Sequence, residues 1–104
     1  MQVVCVRFFV QEGMKRGHQP IHEWLFEAAR SLDIQGGTVF RAAAGYGRHG
    51  VHEDHFFELA GKLPETVEFF AAADQVAALI ERVAAAGLRL IYVTHPVTSG
   101  ITGA

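Results

Sequence analysis

Cysteine is all but missing from this chain. Cys5 stands alone among 104 residues, so no intrachain disulfide can form. It lies inside an apolar run, where a lone thiol is expected to pack as a small hydrophobe. Proline is scarce as well, three in all, and each reads as a boundary marker. Pro20 suits the first turn of a helix, Leu63-Pro64 leads into a strand, and His95-Pro96 is expected to end one. Positive charge is not in excess: nine Lys and Arg face eleven Asp and Glu, for a formal charge of −2. The charges are scattered, with no polybasic stretch, which argues against a nucleic-acid partner. No apolar run approaches the roughly 20 residues of a bilayer span, so no direct membrane insertion is expected. The opening Met1-Gln-Val-Val-Cys-Val-Arg7 lacks the basic start of a secretory signal. A cytoplasmic protein is the expectation.

What is abundant is apolar: half the residues are hydrophobic. A chain of this length is expected to form one domain, spanning residues 1–104, that buries roughly two-thirds of its unfolded surface. Gln2–Val10 reads as a strand dense in valine and phenylalanine. A polar, glycine-bearing loop, Gln11–Gln19, follows. Ile21, Leu25, Ala28 and Leu32 recur at helical spacing, and Gly36-Gly37 is expected to stop that helix. A second strand is predicted from Thr38 to about Ala43 and a third from Thr66 to Ala71. Asp74 is the expected N-cap of a second helix, with Val76, Leu79, Ile80 and Val83 as its stripe and Gly87 as its terminator. The last strand is predicted over Leu88–Thr94. The order β-α-β-β-α-β is that of a ferredoxin-like α+β sandwich, with both helices on one sheet face.

The strands are apolar on both faces. Val4, Val6, Phe8 and Val10 alternate with Val3, Cys5 and Phe9, the latter set broken only by Arg7. Phe70 opposes Val67, Phe69 and Ala71, and Ile91 and Val93 oppose Leu90 and Tyr92. A face left open to water should be polar. A second covering layer is implied, and a chain this short needs a partner subunit to supply it.

The segment richest in chemistry is Arg41-Ala-Ala-Ala-Gly45-Tyr46-Gly47-Arg48-His49-Gly50. Glycine lets the backbone approach a ligand closely and lets successive N–H groups converge on an anion, and arginine adds a fixed cationic fork. The same residues also suit the start of a mobile loop. Arg41 itself fits either a salt bridge at the sheet surface or a phosphate contact. His49, His52 and His55, with Glu53 and Asp54 between them, offer imidazole and carboxylate to zinc, nickel or copper. Solvated loop histidines are the plainer alternative, as they are for His18 and His22, and His95 reads as a strand-end residue. No nucleophile or acid–base pair stands in a recognisable catalytic constellation, so an enzyme is not expected.

The run Gly36-Gly-Thr-Val-Phe-Arg41, then Gly45-Tyr-Gly47, then Leu63-Pro64 ahead of Phe69-Phe-Ala71, resembles the bacterial and archaeal domain-of-unknown-function 190 family, which is PII-like. The likeness runs from Val3 to about Val93. It implies a ferredoxin-like homotrimer that binds a small effector in clefts between subunits. It also implies that the loop after the second strand relays binding to a target protein. Gly45, Tyr46, Gly47 and Arg48 match the Gly-aromatic-Gly-Arg turn that contacts nucleotide in PII proteins. His49 stands where those proteins carry a glutamine, which argues against a 2-oxoglutarate response of their kind. The segment Val83–Arg89 lacks the lysine and extra glycines of the PII triphosphate loop, leaving Gly87 and Arg89. The resemblance therefore implies AMP or ADP rather than ATP. The family's frequent genomic association with fluoride exporters implies a membrane transporter as regulatory partner. A metal-binding trimer built on His49, His52 and His55, or a scaffold without ligand, remains the alternative.

Overall fold

The computed structural model describes residues 2–46 and 63–103. The valine-rich opening forms β1 (Gln2–Gln11), and the phenylalanine-rich segment after Leu63 forms β5 (Pro64–Ala71). These two are the central strands of a four-stranded sheet. They pair antiparallel, with Val6 opposite Phe69 and Phe8 opposite Val67. The outer strands are β4 (Gly37–Arg41) beside β5, and β6 (Ile91–Thr98) beside β1, both antiparallel to their neighbours. The order β4-β5-β1-β6 interleaves the two β-α-β units, as the ferredoxin-like reading requires.

Helix α1 (Ile21–Ser31) and helix α2 (Ala73–Ala85) cover one face. Their stripes, Ile21, Leu25 and Ala28 on α1 and Val76, Leu79 and Val83 on α2, share one core with Val6, Phe8, Val10, Val67, Phe69 and Ala71. Phe69 anchors it, edge-on to Phe8 at 6.4 Å and to Phe26 of α1 at 6.0 Å between ring centres. Gly37 permits that packing. A Cβ at this position would lie 2.5 Å from the Phe69 ring. The helices are tied together by Arg82 Nη1, which donates to Ser31 Oγ at 2.7 Å, and by the Gln75 amide, which donates to the Leu32 and Asp33 carbonyls at 3.1 Å. Neither helix is long and apolar enough to cross a membrane.

Several boundaries differ from expectation, each for a physical reason. Helix α1 stops at Ser31, before the glycines. Asp33 takes the left-handed conformation at φ 63°, and the Ile34 N–H closes back on the Ala29 carbonyl. Pro20 is the N-cap rather than part of the helix. At α2 the cap is Ala72, not Asp74. Its N–H is satisfied by Gln75 Oε1 at 3.0 Å, while Asp74 sits in the first turn, where a carboxylate suits the helix dipole. Gly87 does end α2, at φ 78°, with the Leu88 N–H returning to the Val83 carbonyl. Strand β6 begins at Ile91 and runs straight through His95-Pro96 to Thr98. Proline is tolerated because β6 is an outer strand and its missing donor is not required on the open edge. Strand β4 ends at Arg41, two residues short of the sequence estimate. Part of the expected first loop is a small hairpin, β2 (Lys15–Arg16) with β3 (Gln19–Pro20), turning at Gly17 with φ 65°.

Candidate functional site

Arg41 closes β4 at the end of the sheet where β1 finishes and β5 begins. It lies opposite Glu65, which lies opposite Val10. The register therefore places a guanidinium and a carboxylate side by side. Arg41 Nη2 is 3.4 Å from Glu65 Oε2 and 3.7 Å from Glu12 Oε2. The Arg41 side chain is 64% exposed, whereas that of Glu65 is only 10% exposed. A buried carboxylate needs a partner, and Arg41 is the partner that the register provides. Both residues face a cleft of about 210 Å³, bounded also by Glu12, Met14, Lys15 and His22.

Beyond Arg41 the backbone stays beside β5. The Ala42 N–H donates to the Pro64 carbonyl at 3.0 Å. Gly45 lies against the Pro64 ring, 3.3 Å from where a Cβ would sit. Tyr46 points into solvent, 94% exposed. Gly47, Arg48 and His49, and with them His52 and His55, lie outside the described residues. Gly87 and Arg89 precede β6, which starts with Ile91 opposite Phe9. They therefore share an end of the sheet with Arg41, but at the other edge. The three strand spacings between the outer strands total about 14 Å. Within one chain the expected site residues thus fall into two groups, Arg41-Gly45-Tyr46 and Gly87-Arg89, with β5 and β1 between them.

The other histidines have ordinary surroundings. His18 is exposed in the hairpin turn, and His22 meets Phe26 edge-on at 5.7 Å. His95 is a mid-strand residue opposite Cys5 rather than a strand end. Among the described residues no three His, Cys, Asp or Glu side chains are placed to hold a metal. Glu12 and Glu65, the two carboxylates around Arg41, are site residues that sequence reasoning misses. Neither belongs to a motif, and only the β4–β5 register brings Glu65 to Arg41.

The sheet face away from the helices is a second surface of interest. Directly opposed residues share a face. The pairings place Cys5 with Phe70 and His95, Arg7 with Glu68 and Val93, and Phe9 with Ile91, and they bring Phe40 alongside. Phe9, Phe40, Phe70, Ile91 and Val93 are all exposed. At the centre Arg7 Nε and Nη2 both donate to Glu68 Oε2, at 2.8 and 2.6 Å. Beside this pair Cys5 is buried, as a small hydrophobe should be. Burial pushes its thiol pKa up; Glu68 adds to the rise and Arg7 opposes it.

Comparison with known proteins agrees with this architecture. The chain is 30% identical over 79 residues to a UPF0166 protein of Aquifex aeolicus, covering 75% of each. A Thermus thermophilus protein described as PII-like and signalling superposes with a TM-score of 0.62 at 13% identity, over 93% of this chain and 88% of that one. CPII of Thiomonas intermedia K12, a nitrogen regulatory PII-like protein, has been solved with ADP, AMP and acetate. That structure superposes with a TM-score of 0.65 at 14% identity, over 96% and 90%. CPII solved with ADP and bicarbonate gives 0.66 at 16%, over 97% and 91%. At these identities the likeness is one of fold: the sandwich is PII-like. The DUF190 family model, described as Uncharacterized ACR, matches residues 3–99, and the chain is a member of that family.

Proposed function

We propose that this protein is a PII-like regulator rather than an enzyme. It assembles as a homotrimer and binds an adenine nucleotide, AMP or ADP, in clefts between subunits. The observation that carries the reading is the division of the ligand-type residues between opposite edges of one sheet end. Arg41, Gly45 and Tyr46 lie at the β4 edge, and Gly87 and Arg89 lie before β6. A cleft using both groups forms most simply when the β4 edge of one chain meets the β6 edge of the next. The apolar open face gives the chains a reason to associate. The adenine nucleotides in the CPII structures support the ligand class.

In this reading Gly45 and Gly47 admit the backbone to the phosphates. Arg48 and Arg41 supply charge, with His49 beside them, and Gly87 and Arg89 close the cleft from the neighbouring chain. The segment after β4 then presents a different surface to a target protein according to occupancy. A membrane transporter, the partner that the family resemblance implies, belongs to this proposal.

The test is thermal unfolding of the purified protein with AMP, ADP, ATP, zinc or buffer. A ligand that binds only the folded state at about a hundred times its Kd adds about 2.7 kcal/mol. A rise in Tm with AMP or ADP that disappears in Arg48→Ala is expected. A rise with zinc alone, lost in His52→Ala, would replace this reading with metal binding by the histidine segment.

A further inference from the structure

Glu12, the first residue after β1, holds the two chain segments that meet at Arg41. Its N–H donates to the Leu63 carbonyl at 3.2 Å, and its Oε1 accepts from the Leu63 N–H at 3.3 Å. Its Oε2 lies 3.7 Å from Arg41 Nη2. One carboxylate therefore touches both the exit from β4 and the approach to β5, which the Ala42 N–H to Pro64 carbonyl bond already joins.

The two carboxylates on Arg41 are not equivalent. Glu65 is nearly buried, and leaving it without its cation would strand a charge. Glu12 is about one-third exposed and sits farther from the guanidinium. It loses little if water or Leu63 alone satisfies it, since an exposed ion pair contributes at most about 1 kcal/mol. Arg41 presents five donors and is itself mostly exposed. A phosphate oxygen can thus take the place of Glu12 Oε2 while Glu65 keeps the guanidinium in position.

We propose that Glu12 is a positioning residue that competes with ligand phosphate for Arg41. It occupies the guanidinium when no anion is bound and yields it when one arrives. This inference rests on the reading of Arg41 as a phosphate contact. It assigns Glu12 a regulatory role in that site: the carboxylate lowers the affinity for anions. Because the same carboxylate accepts from Leu63, its release from Arg41 removes one of the links between the exit of β4 and the approach to β5, and the Ala42-to-Pro64 bond remains.

Glu12→Gln tests the proposal. The amide oxygen can still accept from the Leu63 N–H, but the negative charge on Arg41 is gone. The probes are ADP and inorganic pyrophosphate, titrated by calorimetry into wild type, Glu12→Gln and Arg41→Gln, with thermal unfolding confirming that each is folded. Glu12→Gln is expected to tighten both probes by about two- to fivefold, the range of an exposed ion pair. The gain should shrink as salt rises from about 50 to about 500 mM, which a purely structural effect would not show. Arg41→Gln should weaken both probes. If pyrophosphate tightens in Glu12→Gln but no variant binds ADP, the competition stands and the nucleotide reading falls. If ADP binds wild type and Glu12→Gln binds it no better, the nucleotide reading stands and the competition is overturned. Failure of pyrophosphate to bind both wild type and Glu12→Gln overturns the competition as well.

Discussion

Phe69 and Phe70 are neighbours on β5, identical in chemistry and opposite in fate. Phe69 is 1% exposed, wedged between Phe8 and Phe26 beneath the helices, and Phe70 is 51% exposed on the other side of the same sheet. Among the described residues the difference separates a sheet face that the helices cover from one that is left open. The helix-covered face is a complete core with aliphatic and aromatic side chains from all layers. The open face carries comparable apolar material, Phe9, Phe40, Phe70, Ile91 and Val93, around the Arg7–Glu68 ion pair. Apolar surface costs roughly 25 cal/mol for each Å² left in water, so the second face, as the described residues leave it, favours a covering layer.

The sharpest way to break this comparison is to truncate the two phenylalanines separately. Phe69→Ala is expected to lose about 3–5 kcal/mol in urea unfolding, the cost of a buried aromatic cavity. Phe70→Ala should change the unfolding of the lone chain little but weaken its self-association. Equal losses at both positions in a monomeric protein would erase the distinction. Next in size is Gly37→Ala. Its Cβ would meet the Phe69 ring at 2.5 Å, and overpacking of this kind costs about 1–3 kcal/mol, measurable as a lowered Tm. A Gly37→Ala protein as stable as wild type would mean that the ring has room to move.

The fold was legible because each main element carries its own period. The alternating apolar residues of β1 and β5 and the helical stripes of α1 and α2 are local signals, and their order defines the sandwich. What escaped depends on tertiary placement. His95-Pro96 reads as a strand breaker until β6 is known to be an outer strand. Lys15-Arg16 and Gln19-Pro20 have no apolar alternation to announce a hairpin. Asp74 is a better N-cap by type than Ala72, but Gln75 reaches back to the Ala72 N–H and settles the cap there. At the candidate site, Arg41 stood out because it ends a β-rich run beside glycines. Its partners Glu12 and Glu65 did not, since strand register brings Glu65 to Arg41 and the bonds to Leu63 hold Glu12 there, across long stretches of sequence.

Smaller effects sharpen the comparison on the open face. Arg7→Met removes both donors to Glu68, whose side chain is only 12% exposed. About 1–3 kcal/mol should be lost for the unsatisfied carboxylate. Urea unfolding measures the loss, and an Arg7→Met protein as stable as wild type would mean that Glu68 finds another partner. Cys5 gives the smallest effect. Its thiol pKa is raised in the folded protein, so the native state holds the proton more tightly than the unfolded chain does. The corresponding stability is complete below the ordinary thiol pKa of about 8.5 and is lost as pH rises through the raised value. Urea unfolding of wild type should therefore weaken above about pH 8.5 by an increment that Cys5→Ala lacks, and identical alkaline profiles would contradict it.

The most direct test of the central claim, that copies of the chain complete the open face, is the mass in solution by sedimentation equilibrium. Wild type is expected at three times the 11.4 kDa of one chain, with Phe70→Lys shifted toward the single-chain mass. Wild type at the single-chain mass across micromolar concentrations, with its open face in water, would contradict both the assembly and the intersubunit nucleotide cleft that depends on it.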